Sequence, residues 1–538
     1  MSSTDAVVVG AGINGMAAAA VLAARGWSVA LVESAPAIGG FIESAERTVP
    51  GYLHDTYSSW HPLFVTGPVY AEFGEALHRH GLEYRNTEGP LTATASDDGQ
   101  VALAHRDLET TVAGFAEPAD RQAYRDAIAR FGAHAAQIGG LLGAELHSRD
   151  VLAPIWRLGA NGGRAELRAY LRDTATSGRG WLRGRFRGTE VDRIWAPWLL
   201  HAGLAPDSAS GGLMVPIFAA TLHAAGLPVV AGGAGRFVEA WARVLDELGV
   251  QVHTGRRVER IVLREGRAAG VSGDGWELSA DRAVLASVSP GALYRDLLPA
   301  SAVPAQVRIE AAQFRHGRGA AQIHVALSGP VPWRATELGE VPLVHLSDGS
   351  SSTAIACAEA EAGLLPRRPT VVVGQQHVLD PSRVPSGAAA LWLQLQEVPF
   401  APVGDAAGEL DTSGGWSPAL AEGFADRVLE RLARHAPGLP ELVLGVDVIT
   451  PVDLQARNAN AVGGDPYGGS AELDQSFLWR PLPAAGHHRT PVPGLWHIGA
   501  STHPGAGLGG VSGYLVAQRL TADPGPLGRL RRRITTRG

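Results

Sequence analysis

Apolar and polar positions follow three different periods along the chain, and the changes of period mark its organisation. Ala6 to Val9, in DAVVVGAGINGMAAAAVLAARGWSVALVE, is a continuous apolar run with the length of a strand buried on both faces. The alanines through Ala24 predict a closely packed helix, Gly26 stops it, and Trp27 to Val32 predicts a second strand ending at Glu33. From Val69 to about Thr221 the period is mostly helical, as in RQAYRDAIARFGAHAAQIGGLL. Within it, IWAPWLLHAGL and GGLMVPIFAATLHAAGL carry Trp195, Trp198 and Phe218. These read first as a buried helical core and second as the lining of a pocket for an apolar substrate.

Near Pro228 the α/β pattern returns as a glycine-rich turn, an amphipathic helix, and strands at Gln251 to Thr254 and Val258 to Arg264. A buried strand follows within Ala280 to Pro290. Between about Gln322 and Val452 the period is two: AQIHVAL, TVVVGQQHVL and AALWLQLQEV predict an antiparallel sheet, SDGSSST an exposed loop, and Pro418 to His435 a helix. The chain closes with a strand at Leu495 to Ile498, a glycine-rich loop from Gly499 to Gly510 and a last helix.

The first strand and helix meet at Gly10, Gly12 and Gly15, a G-x-G-x-x-G motif. The first glycine allows the tight turn, the second lets backbone approach a pyrophosphate, and the third lets the helix pack on the strand. Ile13 and Asn14 at the helix start, and Ser34 after Glu33, complete this candidate set. An acid at Glu33 suits ribose hydroxyls and argues against a 2'-phosphate, leaving FAD or NAD. Gly505, Gly507 and Gly510 match the same motif, but the 28 residues that follow are too few for another β-α-β unit. That helix start is better used to aim free N–H groups at the other end of the same cofactor. Gly39-Gly40 would let more backbone lie close to it.

Composition removes several alternatives. The 538 residues suit about three domains, with 45% hydrophobic content for their cores. No apolar run reaches the roughly 18 residues of a membrane span, and no basic segment precedes the first strand, so the expected location is the cytoplasm. Cys357, the one cysteine, allows no internal disulfide or C-x-x-C pair. A net charge of -7 gives no support to nucleic-acid binding. All 46 basic residues are arginine, which excludes a Schiff-base or general-base lysine. No metal site is expected: there is no H-E-x-x-H and no cysteine cluster, and His487-His488 reads as a surface pair. The tail GRLRRRITTRG reads as a solvated basic segment, with peripheral contact to anionic lipid as its other use.

VVVGAGINGMAAA at one end and GLWHIGASTHPGAGLGGVSG at the other resemble the phytoene desaturase-like flavoproteins, which include carotenoid desaturases, isomerases and flavin-type β-carotene ketolases. PVVAGGAGRFVEA, TVVVGQQHVLDPSRVPSG and NANAVGGDPYGGSAELDQSFLWRPLP extend the resemblance over nearly the whole chain, most weakly between about 70 and 220. It implies an α/β fold: a discontinuous, glutathione reductase-like (Rossmann-type) FAD-binding domain with an inserted α+β substrate domain. The FAD-binding segments would be 1–68, 226–290 and 453–525, with a mainly helical cap at 69–225, an antiparallel-sheet substrate region at 291–452 and a basic tail at 526–538. By the same resemblance Gly10, Gly12 and Gly15 would meet the pyrophosphate, Glu33 the adenosine ribose, Gly39-Gly40 the neighbouring phosphate and ribitol, and Val258 the adenine. Gly499, Ala500 and the helix start Leu508, Gly509, Gly510, Val511 would border the flavin ring. Phe41 stands where the family commonly has a basic residue. Related amine oxidases commonly hold a water at the flavin with a lysine, so the missing lysine lowers the case for amine oxidation.

The implied activity is hydride removal from a carbon of a largely apolar substrate, giving a double bond or an oxidised carbon. His503, in the loop expected to face the flavin, leads the candidates for the proton-accepting base, with Tyr57, His61 and His201 behind it. Tyr57 and His61 belong to the aromatic stretch Pro50 to Phe64. A dehydrogenase of a smaller natural-product intermediate is favoured over an enzyme of long polyenes, because no strongly amphipathic membrane-docking helix stands out. A non-catalytic binding or escort protein is the reading from another class. Oxygen, a quinone and a second organic acceptor are all open as electron acceptors, and nothing in the sequence specifies an oligomeric state.

Overall fold

A computed structural model describes residues 3–522; the basic tail expected at 526–538 lies outside them. Strand β1 (Thr4–Val9), helix α1 (Ile13–Ala24) and strand β2 (Val29–Val32) form the expected opening unit. β1 lies between two parallel neighbours, with Val7 opposite Ala30 of β2 and Val284 of the strand Trp276–Ser287. Gln251–His253 continues the parallel sheet beyond β2, and Leu495–Ile498 pairs with the second half of Trp276–Ser287. The first half of that long strand instead pairs antiparallel with Arg267–Gly273, which pairs with Arg260–Arg264. Strands from the start, middle and end of the chain thus build one sheet, as a discontinuous domain requires. The alanine run of α1 is explained by its surroundings. It is buried from Ile13 to Leu22, and a β-carbon on Gly513 of the last helix, Val511–Thr521, would lie 1.9 Å from the Asn14 carbonyl oxygen.

The second sheet runs Val443–Ile449, Gly319–Leu327, Ala389–Val398, Val371–Gly374, Leu343–Leu346, Pro90–Ala95, Val101–His105. All its pairs are antiparallel except Leu343–Leu346 with Pro90–Ala95. Side chains alternate between its faces: Ile323, Val325, Leu391, Leu393 and Leu395 pack in a core with Phe424, Val428 and Leu432 of the helix Pro418–His435. Gln322, His324, Trp392 and Gln396 occupy the alternate positions.

Three sequence expectations are corrected here. The mostly helical stretch contains the hairpin Pro90–His105, whose TATASDDGQVALAH has period two around an Asp-Asp-Gly turn. SDGSSST is no exposed loop: Ser350 starts the helix Ser350–Glu361, and Ser347 and Thr353 form a buried hydroxyl contact of 3.0 Å. Val258 precedes the strand Arg260–Arg264 instead of belonging to it. The apolar helical stretches do form a core: Trp195 and Trp198 are buried with Phe115, Tyr124 and Trp181 against Leu343, Val372 and Trp392 of the sheet, and Phe218 packs partly buried beside them.

A buried ion cluster joins the segments. The Arg383 guanidinium donates to Asp55 at 2.7 Å, to Asp380 at 3.1 Å and to the Val230 carbonyl at 2.7 Å. Asp55 also accepts from the Ala234 main-chain N–H at 2.7 Å, and Asp380 from that of Gly232 at 2.8 Å. Every partner is thereby satisfied, which a buried charge requires.

Candidate cofactor site

Two glycine loops far apart in sequence converge on Ser287, at the C-terminal end of the long central strand. A β-carbon on Gly10 would lie 3.0 Å from the Ser287 carbonyl oxygen, and one on Gly499 2.8 Å from its Oγ. Gly10 and Gly499 have φ of +90° and +107°, values that favour glycine. This is where open α/β sheets bind ligands, beyond the carboxyl ends of the strands.

Each glycine of the first motif has a distinct surrounding. A β-carbon on Gly15 would be 1.8 Å from the Gly10 carbonyl oxygen, so it serves helix–strand packing. At Gly12 an added β-carbon meets no heavy atom within 4 Å, leaving space in front of the helix start. Gly40 faces that space, with its own added β-carbon 3.3 Å from the Gly12 Cα, and Gly39 donates its N–H to the Ala11 carbonyl at 2.9 Å. Ile13 and Asn14 are turned toward the last helix: Ile13 meets Gly510, and Asn14 Oδ1 accepts from the Gly513 N–H at 3.3 Å. Gly510 caps that helix and Val511 begins it, while Leu508 packs on the same core and Gly509 lies near Leu63.

Glu33 is fixed under the loop. Its carboxylate accepts from the main-chain N–H of Ala11 at 2.7 Å and of Ala35 at 2.8 Å, and from the hydroxyl of exposed Ser34 at 3.1 Å. Its carbonyl accepts from the Arg256 N–H at 2.9 Å, which draws the connection carrying half-buried Val258 to the same edge. At the other end of the site, Arg480 donates to the Ala500 carbonyl at 2.7 Å and to that of Tyr467 at 3.1 Å. The Gly499 N–H donates to Ser512 Oγ at 3.1 Å, and Thr502 lies 2.6 Å from the same hydroxyl. An open glycine cradle, a helix start and a fixed carboxylate at its edge fit a dinucleotide with an adenosine ribose.

The four candidate bases part company. His503 is 3% exposed in the Gly499–Gly510 loop, its ring set against the main chain of Leu141 and Leu142 at the end of the helix Pro118–Leu142 without a well-formed hydrogen bond at either nitrogen. Burial, reinforced by His488 beside it, lowers its pKa to about 4 and keeps the ring neutral. Tyr57 packs at a tilt of 50° against Phe41 with centroids 5.0 Å apart, which brings it beside the Gly39-Gly40 turn. Burial raises the pKa of its phenol. His61 lies instead in the core with Phe64 and Phe237, hydrogen-bonded to the Tyr84 hydroxyl at 2.9 Å, its pKa lowered by burial to about 4. His201 stacks on Trp198 and meets His345 at 3.1 Å between the helical layer and the second sheet, its pKa lowered by burial to about 3.

Sequence reasoning passed over several site neighbours. Gln322 Nε2 donates to the Tyr57 carbonyl at 2.6 Å, and Gln396 Nε2 donates to the Tyr467 hydroxyl at 2.7 Å. Neither carboxamide oxygen has a partner within the protein. Their signal was present as the polar half of the alternation in AQIHVAL and AALWLQLQEV. His487-His488 also needs correcting: His487 is exposed, whereas His488 is buried against Glu145.

A sheet whose parallel strands carry a glycine cradle at their ends, completed by a C-terminal glycine loop, defines a dinucleotide-binding protein of the glutathione reductase-like fold. The model of the flavin-containing amine oxidoreductases matches residues 13–521, and the chain belongs to that family. It is therefore an FAD-dependent oxidoreductase. The chain is 27% identical to pyridine nucleotide-disulfide oxidoreductase domain-containing protein 2 of Rattus norvegicus, covering 96% of this chain and 93% of that one. It is 28% identical to hydroxyneurosporene desaturase of Cereibacter sphaeroides, over 96% and 97%. Cyclohexylamine oxidase from Brevibacterium oxydans superposes with a TM-score of 0.59 at 17% identity, over 97% and 99%, a likeness of fold alone.

Proposed function

We propose that the protein dehydrogenates a carbon centre of a largely apolar organic substrate in secondary metabolism, with His503 taking the proton. In this reading Gly10 and Gly12 border the pyrophosphate while Gly15 seats the helix that faces it, and Glu33 holds the adenosine ribose, Gly39-Gly40 the ribitol side and Val258 the adenine. Gly499, Ala500 and Leu508–Val511 border the flavin ring, and segments 1–68, 226–290 and 453–525 form the FAD-binding part. Bound FAD supplies the two-electron acceptor for the hydride. The chain's own task is to exclude water, to orient the carbon against the sheet face carrying Gln322 and Gln396, and to accept the second proton at a ring nitrogen of His503. The observation that carries the reading is the buried, neutral imidazole, which makes no well-formed hydrogen bond within the protein, in the loop that meets the glycine cradle at Ser287.

Anaerobic mixing of the holoprotein with polyenes and with smaller apolar metabolites, followed by flavin absorbance, tests the proposal. Bleaching by one class and its loss in His503→Gln support it. A flavin that no apolar compound bleaches speaks for the non-catalytic binding protein. The second reading, a carotenoid-type desaturase, isomerase or ketolase acting at a lipid surface, draws on one observation: the helix Leu152–Ala175 exposes Leu152, Ile155 and Trp156, the last at 73%. The relative named as a hydroxyneurosporene desaturase points the same way. Among the described residues no helix is long and apolar enough to cross a membrane, so any such contact would be peripheral. Re-oxidation by oxygen against a soluble quinone identifies the electron acceptor.

A further inference from the structure

We infer that His488 is a doubly protonated positioning residue that clamps the candidate cofactor loop to the helical layer through Glu145. The ring is 3% exposed and has an acceptor at each end. Nδ1 lies 2.7 Å from Glu145 Oε2, and the His488 main-chain N–H reaches the same oxygen at 3.2 Å. Nε2 lies 2.9 Å from the carbonyl oxygen of His503. A carbonyl oxygen can only accept, so Nε2 carries a hydrogen; an ionised carboxylate can only accept, so Nδ1 carries one as well. A neutral imidazole has a single N–H, and either tautomer would set a nitrogen lone pair against an oxygen lone pair.

Glu145 Oε2 accepts from the ring and the main-chain N–H of His488 together, which suits an ionised carboxylate. Burial alone would raise its pKa, but the His488 hydrogen bond and charge outweigh burial and hold it at about 2. The other titratable groups around the pair are His503, His487, His147, His497 and Arg519; Arg519 approaches the Glu145 carboxylate to 3.9 Å.

The clamp has a defined mechanical role. Glu145 sits between the helices Pro118–Leu142 and Leu152–Ala175, and His488 precedes the strand Leu495–Ile498 that feeds the Gly499–Gly510 loop. By holding the His503 carbonyl, His488 fixes the peptide from which the His503 ring projects. This role rests on the reading that the loop borders the cofactor; the charge state of His488 does not.

The test is nitrogen NMR on holoprotein labelled with 15N-histidine at pH 7, with the His488 signals assigned by their absence in His488→Gln. Two protonated ring nitrogens are expected, and one pyridine-like nitrogen at His488 would overturn the proposal. FAD release is followed in parallel, with circular dichroism confirming that the variants fold. His488→Gln and Glu145→Gln should each hold FAD about 10-fold or more less tightly. Unchanged FAD release in both variants overturns the positioning role. Gly12→Ala separates the two ideas: FAD affinity unaffected there removes the cofactor reading, while the NMR result still decides the clamp.

Discussion

Gly15 lies so near Gly10 that a β-carbon added to it would sit 1.8 Å from the Gly10 carbonyl oxygen. Gly12, three residues earlier, has no such neighbour within 4 Å and a φ of -69° that any residue adopts. The two positions therefore separate packing from binding. Gly15→Ala should destabilise the apoprotein itself, by about 1–3 kcal/mol or more for forced overpacking. Gly12→Ala should leave apoprotein stability within about 1 kcal/mol, since it sits outside such features, yet weaken FAD at least about tenfold by filling the cradle. Denaturation of the two apoproteins and FAD titration check this; equal stability losses would remove the distinction.

Glu33 has a second duty besides the ribose. Its carboxylate satisfies the main-chain N–H groups of Ala11 and Ala35, so it holds the turn whether or not FAD is bound. Glu33→Ala should cost about 1.5–3 kcal/mol of charge-assisted bonding, a loss of about 10- to 150-fold in FAD affinity. Glu33→Gln keeps one acceptor oxygen and should fall between. Fluorescence titration with FAD reads this directly, and an unchanged dissociation constant for Glu33→Ala would end the assignment.

Arg383 and Asp55 stand 328 residues apart in sequence and 2.7 Å apart in the fold, both fully buried. Arg383→Met would leave Asp55 and Asp380 buried without their cation. A loss of about 3–5 kcal/mol is expected for breaking a buried pair from one side. Urea unfolding measures it, and a loss under about 1 kcal/mol would mean that water or local shifts solvate the two acids.

That pair also shows what sequence periodicity can and cannot disclose. Buried strands and the helix Pro418–His435 were legible because each depends on its own residues and on a face it must bury. The G-x-G-x-x-G turn was legible for the same reason, as its constraint lies within one β-α-β unit. The hairpin Pro90–His105 was lost inside a helical neighbourhood because small residues such as Ala93, Thr94 and Ala95 give periodicity a weak amplitude. His488 was misread because a histidine's burial is set by its partner, and Glu145 is 343 residues away. The same holds for His61 and His201, whose types suit a base but whose neighbours, Tyr84 and His345, make them interior polar groups.

Glu397 supplies a pH signature for the second sheet. It is fully buried, and its carboxyl group accepts from the Thr370 N–H at 2.6 Å and from the Gln396 N–H at 3.1 Å. Burial nonetheless pushes its pKa from 4.5 up to about 7, against the pull of the Thr370 bond and of Arg318. The folded chain thus holds this proton more tightly than the unfolded chain does. Its contribution to stability is fully present below about pH 4.5 and is lost as pH rises to about 7. The shift corresponds to about 3 kcal/mol across that window. Glu397→Gln cannot titrate, so it should remove this slope even if it shifts the absolute stability by losing an acceptor. Urea midpoints for both proteins at pH 5 and pH 8 make the comparison. A wild-type decline that Glu397→Gln shares in full would place the titration elsewhere.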